Sequence, residues 1–259
     1  MMIFNTDDFG ISTTENMLIE EVVRHDVVKS VSLMANFAIN EISNRLYDDI
    51  SIGFHMNLVE GPSLTNPLSF TTNGHFIGKA AFLKRYVQGK INKEEVTREI
   101  NSQLISILDR GFKISHGDSH QSLHSVPLVF HLYENVLKQH GINRIRNTVS
   151  RSDWFGNKNL IKSYLQDVFS RFTTQKSALR FPDFVLVGCP GLGNENIKNI
   201  DDAMKLWDVA LANNYRNNVI IEVPCHLGLS SLEYELYKSP DFLNLLKFHR
   251  VQIGNYYDI

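Results

Sequence analysis

The stretch NKEEVTREINSQLISILDRGFKISHGDSH, residues 92–120, holds one full unit of the pattern that decides the fold. Val96, Ile100, Leu104, Ile107 and Leu108 recur at three- and four-residue spacing, which predicts a helix over Asn92–Asp109. Gly111 supplies a stop signal. Lys113–Ser119 then reads as a strand, and His120 stands just past its end. Outward from this unit the alternation repeats. Strands are expected at Met2–Asp7, Val27–Met34, Ser51–Leu58, Asn143–Thr148, Phe184–Val187 and Val219–Val223. Helices are expected at Thr13–His25, Ile39–Tyr47, from Pro127 to Gly141, and at Asn159–Phe172, Asp201–Asn213 and Leu232–Phe248. Parallel strands joined by crossover helices follow, as a closed or irregular (β/α) barrel or as an open doubly wound sheet.

At 259 residues the chain fits one domain, 1–259, because α/β barrels of this length are routinely undivided. Glu60–Gly78, with Gly61, Pro62, Pro67 and Gly74, is too long for a plain connector, so a long loop or small insertion is expected at about 60–90. The Gly-rich GCPGLGNEN, residues 188–196, lacks the third glycine of a dinucleotide fingerprint and reads as a turn.

Hydrophobic residues make up 43% of the chain, enough for a large core and too many for a disordered segment. Against 26 Lys and Arg stand 28 Asp and Glu, without a basic cluster, which argues against a nucleic-acid partner. No apolar run reaches the length of a membrane span, and the start, MMIFNTDDFG, lacks the basic and apolar regions of an export signal. Two cysteines, Cys189 and Cys225, form neither a disulfide framework nor a thiolate metal motif. A cytoplasmic protein is the expectation. Exposed apolar helix faces would suit a homodimer.

The polar residues that interrupt the apolar pattern cluster at expected strand ends: Asp7 and Asp8, His55, His120 with His124, and Cys225 with His226. In barrels and open α/β sheets that edge carries the active site. Asp7 and Asp8 can divide labour at a metal, one ligating and one acting as base; the structural alternative is an N-cap for the next helix. Asp118 is placed to orient His120. The HxxxH spacing of His120 and His124 lacks the glutamate of a helical zinc motif, since Gln121 stands there. Cys225 reads as packing, while His226 is open between acid catalyst and structural residue.

Taken in order, four motifs resemble the YdjC-like carbohydrate deacetylases: NTDDFG (5–10), GFHMNLVEG (53–61), HGDSHQSLHSVP (116–127) and EVPCHLG (222–228). Arg146 falls where that family has a V-R segment. The resemblance implies a (β/α) barrel-like fold of seven or eight mostly parallel strands, irregular or incompletely closed, with one divalent metal held by Asp8, His55 and His120. It implies Asp7 as general base and His226 as general acid, with Asn57, Asp118, His124 and Arg146 binding substrate or supporting the site. An Asp-His-His set favours zinc and accepts magnesium or another divalent ion. The implied reaction removes an N-acetyl group from an amino sugar. The alternatives are another metal-dependent amidase or a phosphoesterase on a sugar, or a catalytically silent sugar-binding protein of the same fold. Ser122 replaces a family histidine and Leu227 a family proline; Ser122 and the long loop point to a substrate other than chitooligosaccharides.

Overall fold

A computed structural model describes residues 1–39, 42, 49–151, 153–155, 170, 173–174, 177–187, 189, 197 and 199–259. Nine strands are described: β1 Met2–Phe9, β2 Val28–Leu33, β3 Ser51–Met56, β4 Thr71–Thr72, β5 His75–Phe76, β6 Ile114–Ser119, β7 Ser150–Arg151, β8 Phe184–Leu186 and β9 Ile221–Cys225. Seven of them form one sheet in the order β6-β3-β2-β1-β9-β8-β7, and every pair in it is parallel. It is an open half-barrel of the α/β class, incompletely closed between β6 and β7.

Among the described residues the α-helices are α1 Thr13–Val22, α2 Lys79–Val87, α3 Lys93–Leu108, α4 Pro127–Gln139, α5 Ile200–Asn214, α6 Ser231–Lys238 and α7 Pro240–Phe248. Strand alternation decides which side chains meet them. Phe4 of β1 packs against Trp207, Tyr237 and Phe242 of α5, α6 and α7, and Phe54 of β3 meets Tyr133 of α4. The opposite face of the sheet is polar. There Asn5 bonds Ser30 and Ser32, Ser32 bonds Asp118, and Ser51 bonds Ser30. Gly53 is required on this face, because a Cβ there would lie 2.4 Å from Nε2 of His116.

Three expectations are corrected. Leu232–Phe248 is two helices, since Pro240 removes a backbone donor and Ser239 caps a new start. Asn143–Thr148 is not a continuous strand: Ile145 bridges Gly117, Arg144 bridges Arg180, and the ladder resumes only at β7. The N-cap of α1 is Ser12, whose side chain accepts from Glu15 N, so Asp8 is not that cap. The insertion after Glu60 holds the β4–β5 hairpin and α2, with Phe70 packed on Phe76 and Phe82. Two expected helices, 39–47 and 159–172, fall almost wholly outside the described residues, as does most of 188–196. Among the described residues no helix is long and apolar enough to cross a membrane.

Candidate active site

The C-terminal edge of the sheet opens into a cavity of about 710 Å³, whose walls include Asp7, Asp8, His55, Glu60, His120 and His226. Asp8 reaches it through a left-handed backbone turn, φ 65°, that directs it away from the alternation set by β1. Its Oδ1 lies 3.2 Å from Nε2 of His55 and 2.8 Å from Nδ1 of His120. Each of these three residues offers one ligand atom, all within 4.8 Å of one another. One carboxylate oxygen and two imidazole nitrogens are a donor set that suits a divalent transition metal.

Electrostatics favour a cation at this point. Burial opposes a charged His55, yet Asp118, then Asp8 and Asp7, push its pKa up to about 10. Burial likewise opposes a charged Asp8, and hydrogen bonds to His120 and His55 outweigh it, holding the carboxyl well below its usual range. A proton on His55 and a metal ion answer the same negative field, so the residues present fit a metal. Asp118 orients His55, 2.9 Å from its Nδ1, and not His120 as its place in the sequence suggested. A second grouping, Asp7, His55 and Asp118, also converges. There, Nη2 of Arg146 already supplies a cation, 2.6 Å from Asp7 and 2.9 Å from Asp118.

Asp7 is gripped by the Arg146 fork, Nη1 to Oδ2 at 2.8 Å and Nη2 to Oδ1 at 2.6 Å, and accepts from Nδ2 of Asn5. Nε2 of His226 lies 3.6 Å from Oδ2 of Asp7. Nδ1 of His226 is buried without a partner among the described residues, so Nε2 is the nitrogen that faces polar groups. Buried acids hold the His226 loop. Glu233 accepts from His226 N and Glu15 from Gly228 N. Burial pushes the Glu233 carboxyl up to about 8.

The remaining singled-out residues are placed as follows. Asn57 accepts from Val59 N and Glu60 N and donates to Glu60 O, shaping the turn that carries Glu60. His124 pairs with Ser119 at 2.6 Å, and burial, then Arg146, lower its pKa to about 3, which keeps it neutral. Cys225 is packed within β9, its thiol donating to Val223 O. Two further carboxylates, to which the sequence assigned no role, meet these residues. Glu60 Oε2 sits 2.8 Å from Nε2 of His120, and Glu222 accepts from Nε of Arg146 at 2.9 Å. Both stand inside motifs already quoted, NLVEG and EVPCHLG, but neither residue type alone signals a role.

A family model described as YdjC-like protein matches residues 1–248. The chain belongs to the YdjC-like family. Relatives include a carbohydrate deacetylase of Xenopus laevis, 28% identical over 252 residues that cover 89% of this chain and 82% of the relative. Carbohydrate deacetylase 1 of Listeria innocua is 33% identical over 152 residues, covering 57% of this chain and 61% of the relative. A chitooligosaccharide deacetylase of Enterobacter sp. (strain 638) is 31% identical over 146 residues, covering 55% of this chain and 57% of the relative. The two bacterial matches thus span about three fifths of those relatives. Among solved structures, a candidate cellobiose-phosphate cleavage protein of Enterococcus faecalis V583 superposes with TM-score 0.74 at 20% identity, covering 99% of this chain and 97% of that one. At that identity the likeness shows that the YdjC-like chain shares its fold.

Proposed function

We propose that this member of the YdjC-like family is a metal-dependent hydrolase that removes an N-acetyl group from an amino sugar. The observation that carries the reading is the convergence of Asp8, His55 and His120 in one cavity with Asp7 and His226 beside them. The names of the relatives support a sugar substrate and a deacetylation.

Asp8, His55 and His120 would hold the ion, zinc by preference of the donor set, with magnesium or another divalent ion as substitutes. A bound divalent ion supplies Lewis acidity, which polarises an amide carbonyl and lowers the pKa of water. Asp7, fixed by Arg146 and Asn5, accepts the proton of the attacking water. His226 delivers a proton from Nε2 to the leaving nitrogen, so that amine and acetate depart. A phosphoesterase is less well served, because Arg146 is already committed to Asp7, Asp118 and Glu222.

The test is acetate release from free, nucleotide-linked and lipid-linked N-acetylhexosamines by the metal-loaded protein. Absence of acetate across all three classes would overturn the reading. His226→Ala should lower kcat by about 10²–10⁴ without loss of metal, the range for removal of a general acid. The loss should shrink on an activated ester, whose leaving group needs no proton. Equal losses on amide and ester would remove His226 from the acid role.

A further inference from the structure

A buried chain of hydrogen bonds crosses the half-barrel from its floor to the cavity. Its lower end is Tyr256, which lies beyond residues 1–248 matched by the family model and is 0% exposed. The Tyr256–Asp258 turn is built to stay in place. Asn255 and Asp258 form a capping box, Tyr256 N donates to Oγ of Ser51, and the Ile259 carbonyl accepts from Nε of Arg144. The phenol ring stacks on His116 at 3.5 Å with an interplanar angle of 4°. Burial lowers the His116 pKa to about 3, so the stacked imidazole is neutral.

From there the links are continuous. Tyr256 Oη donates to Oε2 of Glu222 at 2.5 Å. Oε1 of Glu222 accepts from Nε of Arg146 at 2.9 Å and lies 2.7 Å from its Nη2. Arg146 in turn grips both oxygens of Asp7. A guanidinium is planar, so fixing its Nε edge fixes the direction of the fork at its far side. The carboxylate that fixes Nε has its second oxygen fixed by the tyrosine.

We infer that Tyr256 is a positioning residue for the Asp7 carboxylate, acting through Glu222 and Arg146 from the opposite end of the half-barrel. The inference rests on the proposed role of Asp7 as proton acceptor. A tyrosine that only filled the floor would be replaced by phenylalanine at little cost, since the ring, its stack and its volume are kept. A tyrosine that aims Arg146 would not, because the hydroxyl is the part that matters.

The experiment compares wild type, Tyr256→Phe, Glu222→Gln and the double variant, each as the full chain. Tyr256→Phe should lower kcat about tenfold, the rate equivalent of one hydrogen bond to a charged group, with KM and metal content unchanged. In the Glu222→Gln background the same change should add nothing, since the two act as one unit. A second readout needs no substrate: solvent exchange of the Arg146 Nε proton, followed by NMR, should be faster in Tyr256→Phe. Unchanged kcat, an equal loss with and without Glu222, or unchanged proton exchange would each overturn the inference. Should wild type release no acetate from any sugar, the proposed activity falls, and the exchange rate still decides whether Tyr256 holds Arg146.

Discussion

Asp7→Asn is expected to leave the metal in place while kcat falls by about 10⁴, the upper end of the range for loss of a general base. Asparagine keeps the shape of the side chain and an oxygen that can accept from the Arg146 fork, so the fold should survive. It lacks the proton affinity of a carboxylate. Asp8→Asn should behave oppositely. Asp8 is the residue whose oxygen meets both His55 and His120, and a neutral amide oxygen is a poor substitute for an anionic donor. Metal content after desalting should drop, and excess metal should restore part of the activity of Asp8→Asn and none of that of Asp7→Asn. The reverse pattern, with Asp7→Asn emptying the site, would exchange the two roles.

Arg146→Met should cost about 3–5 kcal/mol of stability, the usual penalty for breaking a buried ion pair by removing one partner. Three carboxylates, Asp7, Asp118 and Glu222, would be left facing one another without their shared cation. Burial already raises the Glu222 pKa although Arg146 opposes it. Without Arg146 the folded-state pKa of Glu222 rises further above its unfolded value, so protonation of that acid favours the folded state and the penalty shrinks on acidification. Urea unfolding at neutral and mildly acidic pH measures both effects. Arg146→Lys should recover only part of the loss, because one ammonium cannot bond two oxygens of Asp7 and reach Glu222 together. A variant as stable as wild type at neutral pH would overturn this expectation.

What could be read in the sequence, and what could not, divides along a physical line. The unit at 92–120 gave α3 and β6 almost residue for residue, because helix period, Gly111 and the β-branched start of the strand all agree. Asp7, Asp8, His55 and His120 were visible as polar residues at strand ends, a local signal. Pairing was not visible. Asp118 turned to His55, because β3 and β6 are neighbours with His55 opposite Asp118, a register that no single strand encodes. Tyr256 and Glu222 are 34 positions apart, and only the return of the chain beneath the sheet brings them together. Likewise Asn143–Thr148 reads as a strand, yet its pairing is limited to single bridges, Ile145 to Gly117 and Arg144 to Arg180, which depend on partners distant in the chain.

That broken segment changes how the molecule can breathe. It spans the gap between β6 and β7 with few backbone bonds: Gly117 N to Arg144 O, Arg146 N to Gly117 O, and Arg180 at its other side. Counted by ladder alone, this seam would be the first part of the wall to open. Yet opening it drags the Arg146 guanidinium away from acids rooted in β1, β6 and β9, three separate strands. The seam is therefore latched by charge where it lacks backbone.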